Sequence, residues 1–257
     1  MTVTHIISGT KATGTTTVGP SYPAGTTAAR LAICVRNVWL STATLTAEGG
    51  WVDQADLAGG TGSTADNHTC RIGIDTKILA GGESGVVTFD QAGSPNGAIG
   101  VIVIYEKGAS ETWDIAVGFG DDASHAANRA ATSTTSLTFE PGDLLLAAVS
   151  IDTDNVLTIT APAITAGGIT FGATNARLTE TTPSGVGFDG NLVTFDATVS
   201  SGSATVAPAF AMTTAVSQCG PVAFVRLRGV GAAVDNPPRR RPVISLARPR
   251  LAATFAR

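Results

Sequence analysis

The residues of this chain that could perform acid–base chemistry are few and widely spaced. The three histidines, His5, His68 and His125, lie near the amino terminus or in polar segments that favour loops. A catalytic base needs neighbours that tune its pKa, and the Gly-x-Ser-x-Gly elbow of one common class of hydrolase is absent. We therefore interpret the histidines as solvated loop residues and predict that the protein is not an enzyme. A hydrolase whose triad is assembled from distant residues is the alternative.

Potential metal ligands are densest at Asp121, Asp122 and His125. A second segment, Asp152-Thr-Asp154-Asn155, begins like a calcium-binding loop but lacks the glycine at its sixth position and the glutamate at its twelfth. Acidic turns between strands are the simpler interpretation, so we predict neither a metal site nor a cofactor. A calcium site in a sandwich loop is the alternative at both places.

The composition changes abruptly near the carboxyl terminus. Residues 235–257 contain six arginines and one aspartate, a net charge of +5, whereas residues 1–234 contain ten basic and nineteen acidic residues, a net charge of −9. A split of this kind is typical of a terminal arm that docks on an acidic partner. Four prolines in the arm remove backbone donors and disfavour helix, so we predict an extended segment. The predicted domains are the body, 1–234, and the docking arm, 235–257.

The arm carries apolar side chains as well as charge. Their spacing would let an extended segment place alternate side chains in a groove or on a sheet edge. The predicted docking residues are Arg239, Arg240, Arg241, Val243, Ile244, Leu246, Arg248, Arg250, Leu251 and Phe255. A disordered tail whose apolar residues have no role is the alternative. Clustered arginines also suit phosphates, but the acidic body and its lack of interleaved aromatic residues argue against nucleic acid as the principal partner.

Composition limits the class of protein further. Only 14% of the residues are charged and 30 are glycines, so we expect a neutral, hydroxyl-rich surface. No apolar run approaches the roughly 20 residues needed to span a bilayer, and the first residues lack the pattern of a signal peptide. We therefore expect no membrane partner and no export signal. The three cysteines are too widely spaced to suggest a disulfide framework, and Cys34 and Cys219 are predicted to be buried thiols.

Short β-favouring runs, separated by glycine, proline, asparagine and aspartate, predict an all-β fold. Candidate strands cover residues 5–8, 29–38, 69–78, 85–89, 99–105, 114–119, 136–139, 143–151, 156–159, 190–199, 204–211 and 221–228. About a dozen strands suffice for two packed antiparallel sheets, so we expect a jelly-roll-like sandwich followed by the extended arm. The runs 99–105 and 144–149 are apolar without alternation and are predicted to be central strands.

The last candidate strand, residues 221–228, alternates between apolar and basic side chains. We predict that Arg226 and Arg228 lie on a face that meets solvent or a partner. Two tyrosines, Tyr22 and Tyr105, and three tryptophans, Trp39, Trp51 and Trp113, are candidates for stacking on sugar rings, with core or rim packing as the alternative for the tryptophans. A glycan-binding protein should expose two or more of the tryptophans on one face. A structural subunit should bury them, and should bury both arginines against a neighbour.

The order of several segments resembles accessory virion proteins of tailed bacteriophages. The segments are SYPAGTTAARLAI at residues 21–33, GGW at 49–51, GGESGVVT at 81–88, EPGDLLL at 140–146 and GPVAFVRLR at 220–228. The resemblance covers roughly residues 15–230 and leaves the arm outside it. It implies a jelly-roll-like sandwich that decorates the head or forms part of the tail, as in a minor tail protein, often as a homo-oligomer. It implies no enzyme.

Together these inferences predict a virion structural protein that is assembled in the host cytoplasm. The body would face outward, and the arm would attach it to the acidic surface of a capsid or tail subunit. A carbohydrate-binding module that recognises a host-surface glycan is the principal alternative. A hydrolytic tail enzyme would need a cleft that gathers His68 or His125 with carboxylates.

Overall fold

The computed structural model describes residues 2–24, 26–39, 42–60, 70–93, 97–152, 157–180 and 190–231. The docking arm, 235–257, lies outside the described residues, so its predicted conformation and contacts stay predictions. The described part contains eighteen strands and no helix, and every strand pair in it is antiparallel. The predicted all-β, sandwich-like fold is confirmed. Accordingly, no helix in this part could cross a membrane.

The strands form two large sheets and two small ones. Their bounds are β1 Thr4–Ser8, β2 Ala12–Gly14, β3 Thr17–Val18, β4 Leu31–Trp39, β5 Thr44–Leu45, β6 Val52–Gly59, β7 Cys70–Ile78, β8 Phe89–Ala92, β9 Gly97–Glu106, β10 Glu111–Thr132, β11 Leu137–Phe139, β12 Leu144–Asp152, β13 Ile159–Ala166, β14 Thr170–Phe171, β15 Asn175–Glu180, β16 Gly190–Ser201, β17 Ala204–Val206 and β18 Pro208–Gly231. The first sheet has the order β1-β9-β4-β7-β6, with β2 also paired to β9. The second has the order β10-β18-β12-β16-β14, with β13 on β18 and β15 on β16.

The two large sheets pack face to face around an inner core. Alternate residues of β4, β7 and β9 meet alternate residues of β12 and β18, because successive side chains of a strand point to opposite faces. Fully buried members of this core include Ile33, Val101, Leu146 and Val225. The inner core is the layer that a two-sheet sandwich requires.

Each large sheet is also covered on its outer face, which gives two further cores. The outer face of the first sheet packs under β3, β5 and β8, with Phe89 and Trp51 among its buried side chains. The outer face of the second sheet packs under β11, β13 and the distal halves of β10 and β18, with Phe139 and Phe210 buried there. Because both faces are covered, β9 and β12 are buried along almost their whole length, as the unbroken apolar runs predict.

The prediction for the last strand is wrong for Arg226. Val222, Phe224 and Arg226 lie on the outer face of the second sheet, but that face is covered by the third layer of strands rather than by solvent or a partner. Arg226 is only 5% exposed. The alternating pattern therefore distinguished the two faces of the strand correctly. It did not reveal that other strands of the same chain cover the outer face.

Turn chemistry at residues 80–83 follows the sequence. Gly81 and Gly82 have φ angles of 95° and 83°, in the left-handed region that favours glycine. The Glu83 carboxylate accepts hydrogen bonds from the backbone N–H groups of Ala80 and Gly81, at 2.6 and 3.0 Å. This turn ends the region of β7 and leads the chain into the small sheet that covers the first one.

Candidate functional site

The predicted site residues fall into described and undescribed groups. All ten docking residues of the arm, from Arg239 to Phe255, lie outside the described residues, as does His68. The side chain of His125 and that of Cys219 are outside them as well. Asp121, Asp122, the three tryptophans, Arg226 and Arg228 are described, and their contacts decide what each can do.

Asp121 and Asp122 hold backbone rather than a ligand. The Asp121 carboxylate accepts a 2.8 Å hydrogen bond from the N–H of Gly60, and burial raises its pKa above the usual value. Asp122 accepts hydrogen bonds from the N–H of Ser124 at 2.9 Å and the N–H of Ala130 at 3.1 Å. Within the described ranges, no three His, Cys, Asp or Glu residues are grouped in a way that could hold a metal ion.

Arg129 continues this polar arrangement into the protein. Its guanidinium lies 3.6 Å from the Asp122 carboxylate and donates to the carbonyl oxygens of Ser150, at 2.8 Å, and Gly220, at 2.5 Å. The Ser150 hydroxyl donates to Asn37 Oδ1 at 2.6 Å, so the network crosses from the second sheet to the first. A buried arginine that satisfies carbonyls in this way fixes the geometry of the sheets.

Arg226 and Arg228 each form a forked ion pair with an aspartate of the same chain. Arg226 donates to both carboxylate oxygens of Asp114, at 2.7 and 3.1 Å, and this contact lowers the Asp114 pKa. Arg228 donates to both oxygens of Asp143, at 2.8 and 2.7 Å. Its third nitrogen lies 3.1 Å from the carboxylate of Glu140. Both guanidinium groups are therefore bound to carboxylates of the body. These contacts give no support to the prediction that Arg226 and Arg228 contact a partner.

A serine–histidine contact that sequence reasoning missed lies in β1. His5 Nε2 and Ser8 Oγ are 3.0 Å apart, across an irregularity in the pairing of β1 with β9 that brings the two side chains together. Burial lowers the pKa of His5, and the ring contacts Tyr105 edge to face at 5.6 Å between centroids. The nearby Asp196 carboxylate instead accepts from Arg177 at 2.7 Å and from the Tyr105 hydroxyl at 3.3 Å. Among the described residues, this pair thus lacks the third group that orients a catalytic histidine.

A cleft of about 340 Å³ opens on the outer side of the first sheet. Its lining residues are Tyr22, Glu48, Gly49, Trp51, Lys77, Val86, Val87 and Thr88. The mixture of aromatic rings with one cation and one carboxylate is of the kind that can bind a sugar or a small acid. Whether it can stack on a sugar depends on which aromatic faces are open.

The aromatic rings in this cleft contact one another and two cationic side chains of the chain. The rings of Tyr22 and Trp51 stack with their centroids 6.0 Å apart and an angle of 22° between their planes. Lys77 Nζ lies 5.5 Å from the centroid of Tyr22 and donates to its hydroxyl at 3.1 Å. Trp51 meets Phe89 edge to face at 5.2 Å, and the Arg36 guanidinium lies 5.0 Å from the Phe89 centroid. This series of contacts, called here the cation–aromatic stack, joins Tyr22, Trp51, Phe89, Lys77 and Arg36.

The three tryptophans lie in three different surroundings. Trp51 is 7% exposed and belongs to the outer core of the first sheet. Trp113 packs against the inner core and donates its indole N–H to the carbonyl of Ala29 at 3.0 Å. Trp39 is the last residue of β4, at the opposite end of that strand from Leu31, where it pairs with Cys70 and Gly97. No two of them form a shared exposed face, which is what a glycan platform would need.

Sequence reasoning named Tyr22 and Trp51 as candidate stacking residues, but it missed Lys77 and Glu48, because the lining comes from separated segments of the chain. The only signal was GGW at 49–51, which marks a tight turn before an aromatic residue. It likewise missed the buried pair of Arg36 and Asp75, which stand in strands that read as apolar. The pairing of β4 with β7 places Cys34 opposite Asp75, which brings Arg36, two residues further along β4, close to Asp75. A single sequence does not reveal which residues of two strands lie opposite each other.

Comparison with protein-family models, with curated proteins and with solved structures finds no match to this chain. Its function is therefore inferred from the residues and contacts described above.

Proposed function

We propose that this protein is a non-enzymatic structural subunit of a tailed-phage-like particle, attached through its basic arm, 235–257. In this proposal the β-sandwich body is the jelly-roll-like part that decorates a head or forms part of a tail. The protein would be assembled in the host cytoplasm and would act as one of several copies. Other capsid or tail subunits are the proposed partners.

The observation that carries the proposal is how the body uses its buried charged side chains. Arg36 pairs with Asp75, Arg129 with Asp122 and Arg226 with Asp114, and each of these arginines is at least nine-tenths buried. An enzyme keeps the charged groups that act in proton transfer open to substrate. Here the ion pairs instead fix one strand arrangement, which is a property that a repeated structural subunit needs.

The charge distribution supports attachment through the arm. The body has a net charge of −9 and the arm +5, so the arm is suited to an acidic surface of a neighbouring subunit. Arginine is the better residue for such a contact, because its planar fork can hold a carboxylate through two hydrogen bonds. The forked pairs at Arg226 and Arg228 show that geometry inside the same chain.

The test is co-sedimentation with purified particles that lack this subunit. The full chain should bind, and 0.5 M salt should weaken binding because it screens charge–charge contacts, the screening length being about 10 Å at 0.1 M and shorter at higher salt. The variant Arg239→Glu/Arg240→Glu/Arg241→Glu should lose binding, while the matched variant Arg30→Glu, on the body surface, should retain it. Equal binding by both variants would contradict attachment through the arm, and no binding by the unchanged chain would contradict a virion role.

A host-surface glycan remains the second candidate, and the cleft beside Tyr22 and Trp51 is the observation that favours it. The cleft offers Lys77 and Glu48 as polar contacts, and the adjoining rings of Tyr22 and Trp51 stack on each other. Binding to a glycan array by the full chain, lost on Lys77→Met with the fold intact, would support this candidate over attachment alone.

A further inference from the structure

One side of the sandwich is bounded by the end strands of both large sheets. β6 ends the first sheet and β10 ends the second. The carboxyl-terminal end of β6 approaches the middle of β10, where Asp121 accepts a hydrogen bond from Gly60, directly after β6. Near the start of β10, the Trp113 indole donates to the carbonyl of Ala29. The N–H of Ala29 in turn donates to the carbonyl of Leu79, directly after β7. β6 and the first half of β10 therefore run in the same direction along this side.

Apolar side chains along this side are incompletely covered. Val52 and Ile78 are 58% and 61% exposed. Val52 pairs with Thr76, which shares the inner face of the first sheet with Ile74 and Ile78, so both exposed side chains extend the inner core outward. From the second sheet, partly buried side chains of β10 border the same core, namely Trp113, Ile115, Val117 and Phe119. These six residues are called the side stripe.

Acidic residues flank the side stripe. Asp53 is exposed and Asp56 partly exposed on β6, and the Asp114 carboxylate on β10 is 42% exposed. Asp114 already pairs with Arg226, and Asp56 lies 3.6 Å from Arg71. Carboxylates have capacity for further donors, since each ionised group accepts at two oxygens. An apolar stripe between the edges of two end strands and flanked by acids suits an extended, basic and partly apolar segment.

The arm has these properties and leaves the body close to the side stripe. β18 ends at Gly231, which pairs with Glu111, two residues before Trp113. The first apolar residue of the arm's docking set, Val243, comes twelve residues later, which allows a reach of roughly 40 Å at about 3.3 Å per residue. The side stripe runs along β6, a strand of eight residues whose length is roughly 26 Å. The sequence Pro237-Pro238 in the intervening segment favours a stiff, extended spacer that carries the anchors away from their own body.

We infer that the side stripe is the docking site for the arm of a second copy of this chain. Ile244 and Leu246, which share one face of an extended segment, would cover the exposed Val52 and Ile78, and the arginines would lie beside Asp53 and Asp114. This inference rests on the proposed role of the arm in attachment and names a neighbouring copy as its partner. Each copy then offers an arm and receives one, which allows a closed dimer or a ring.

The experiment uses full-length chains and light scattering after gel filtration, at low salt. The unchanged chain should elute with the mass of two or more 25.8 kDa copies. A stripe variant, Val52→Asp/Ile78→Asp, and the arm variant, Arg239→Glu/Arg240→Glu/Arg241→Glu, should each elute as a single copy. The control Val86→Asp changes a residue that is 63% exposed on the cleft side, and it should keep the mass of the unchanged chain.

Mixing the two defective chains tests directly whether the arm of one copy docks on the stripe of another. The stripe variant still carries an intact arm, and the arm variant still carries an intact stripe, so an equimolar mixture should form a one-to-one complex. Such a complex would also show that both variants are folded. Absence of the complex would overturn the inference, as would an equal loss of mass in Val86→Asp. A chain that is a single copy by itself but binds particles through its arm would overturn the inference and leave the proposed function standing.

Discussion

The guanidinium of Arg36 and the carboxylate of Asp75 form an ion pair of 2.7 Å, and both side chains are fully buried. They lie on the outer face of the first sheet, beneath the small sheet of β3, β5 and β8. Arg36 also donates to the carbonyl of Thr46 at 3.1 Å, which ties the small sheet to the large one. Because burial removes both charges from water, each depends on the other.

Removing one partner of this pair should destabilise the protein strongly. Arg36→Met leaves the Asp75 carboxylate buried without its cation, and the free energy of unfolding at pH 7 should fall by about 3–5 kcal/mol. The double variant Arg36→Met/Asp75→Leu removes both charges and should recover most of that loss. Urea denaturation measures both, and a double variant no more stable than the single one would contradict a dependence between the two side chains.

The stability of the protein should also depend on pH through Asp75. Burial raises the pKa of this carboxyl from 3.8 to about 6, so the folded chain keeps a proton that the unfolded chain has already lost. The free energy of unfolding should therefore decrease as the pH rises from about 4 to about 6, by up to about 3 kcal/mol from this group. Asp75→Asn should lack this component. If urea titrations give the same pH dependence of the free energy of unfolding for the unchanged chain and for Asp75→Asn, the prediction is wrong.

The cation–aromatic stack should make Trp51 a major determinant of stability. Trp51→Ala removes a ring that contacts both Tyr22 and Phe89, and we expect a loss of about 3–5 kcal/mol in the free energy of unfolding. Tyr22→Phe is the matched control, since it keeps the stacked ring and removes only the hydroxyl that accepts from Lys77, at a cost of about 1 kcal/mol. Thermal unfolding followed by near-ultraviolet circular dichroism distinguishes the two. Similar losses of stability in both variants would show that the stacked rings are not the source of the stability lost in Trp51→Ala.

The fork between Arg226 and Asp114 should be specific for arginine. Arg226→Lys supplies a point charge in place of two parallel donors, so the pKa of Asp114 should rise toward its usual value and stability should drop by about 1–2 kcal/mol. The control Arg30→Lys alters an exposed pair with Glu106 and should cost less than about 1 kcal/mol. A carboxyl NMR titration of Asp114 measures the first effect, and an unchanged pKa would contradict it.

The strong elements of the fold could be predicted from sequence, and the weak ones could not. The runs at 99–105 and 144–149 identify β9 and β12, because only strands covered on both faces tolerate unbroken apolar residues. In contrast, β6 reads VDQADLAG and is absent from the candidate strands. An end strand is bonded on one side only, so its sequence is under weaker selection for apolar and β-branched side chains. β13 was missed for the same reason.

The candidate site was harder to predict than the fold. Arg226 looked like a surface residue because alternation distinguishes the two faces of a strand but not what covers them. Trp51 and Lys77 are brought together with Tyr22 by packing between separate segments, and single-sequence patterns contain no such information. The charge change at residue 235, by comparison, needs no tertiary structure to be recognised.

The pairing of β10 with β18 also sets the order of events when the chain folds. Glu111 pairs with Gly231, which follows it by 120 positions, and β18 supplies Val225 to the inner core and Phe224 to an outer one. Such long-range contacts slow folding, because the loop must close before any contact forms. A nascent chain that ends before residue 208 exposes one edge of β12 and both edges of β10, an aggregation hazard while synthesis is incomplete. The body can thus close only after β18 has been synthesised.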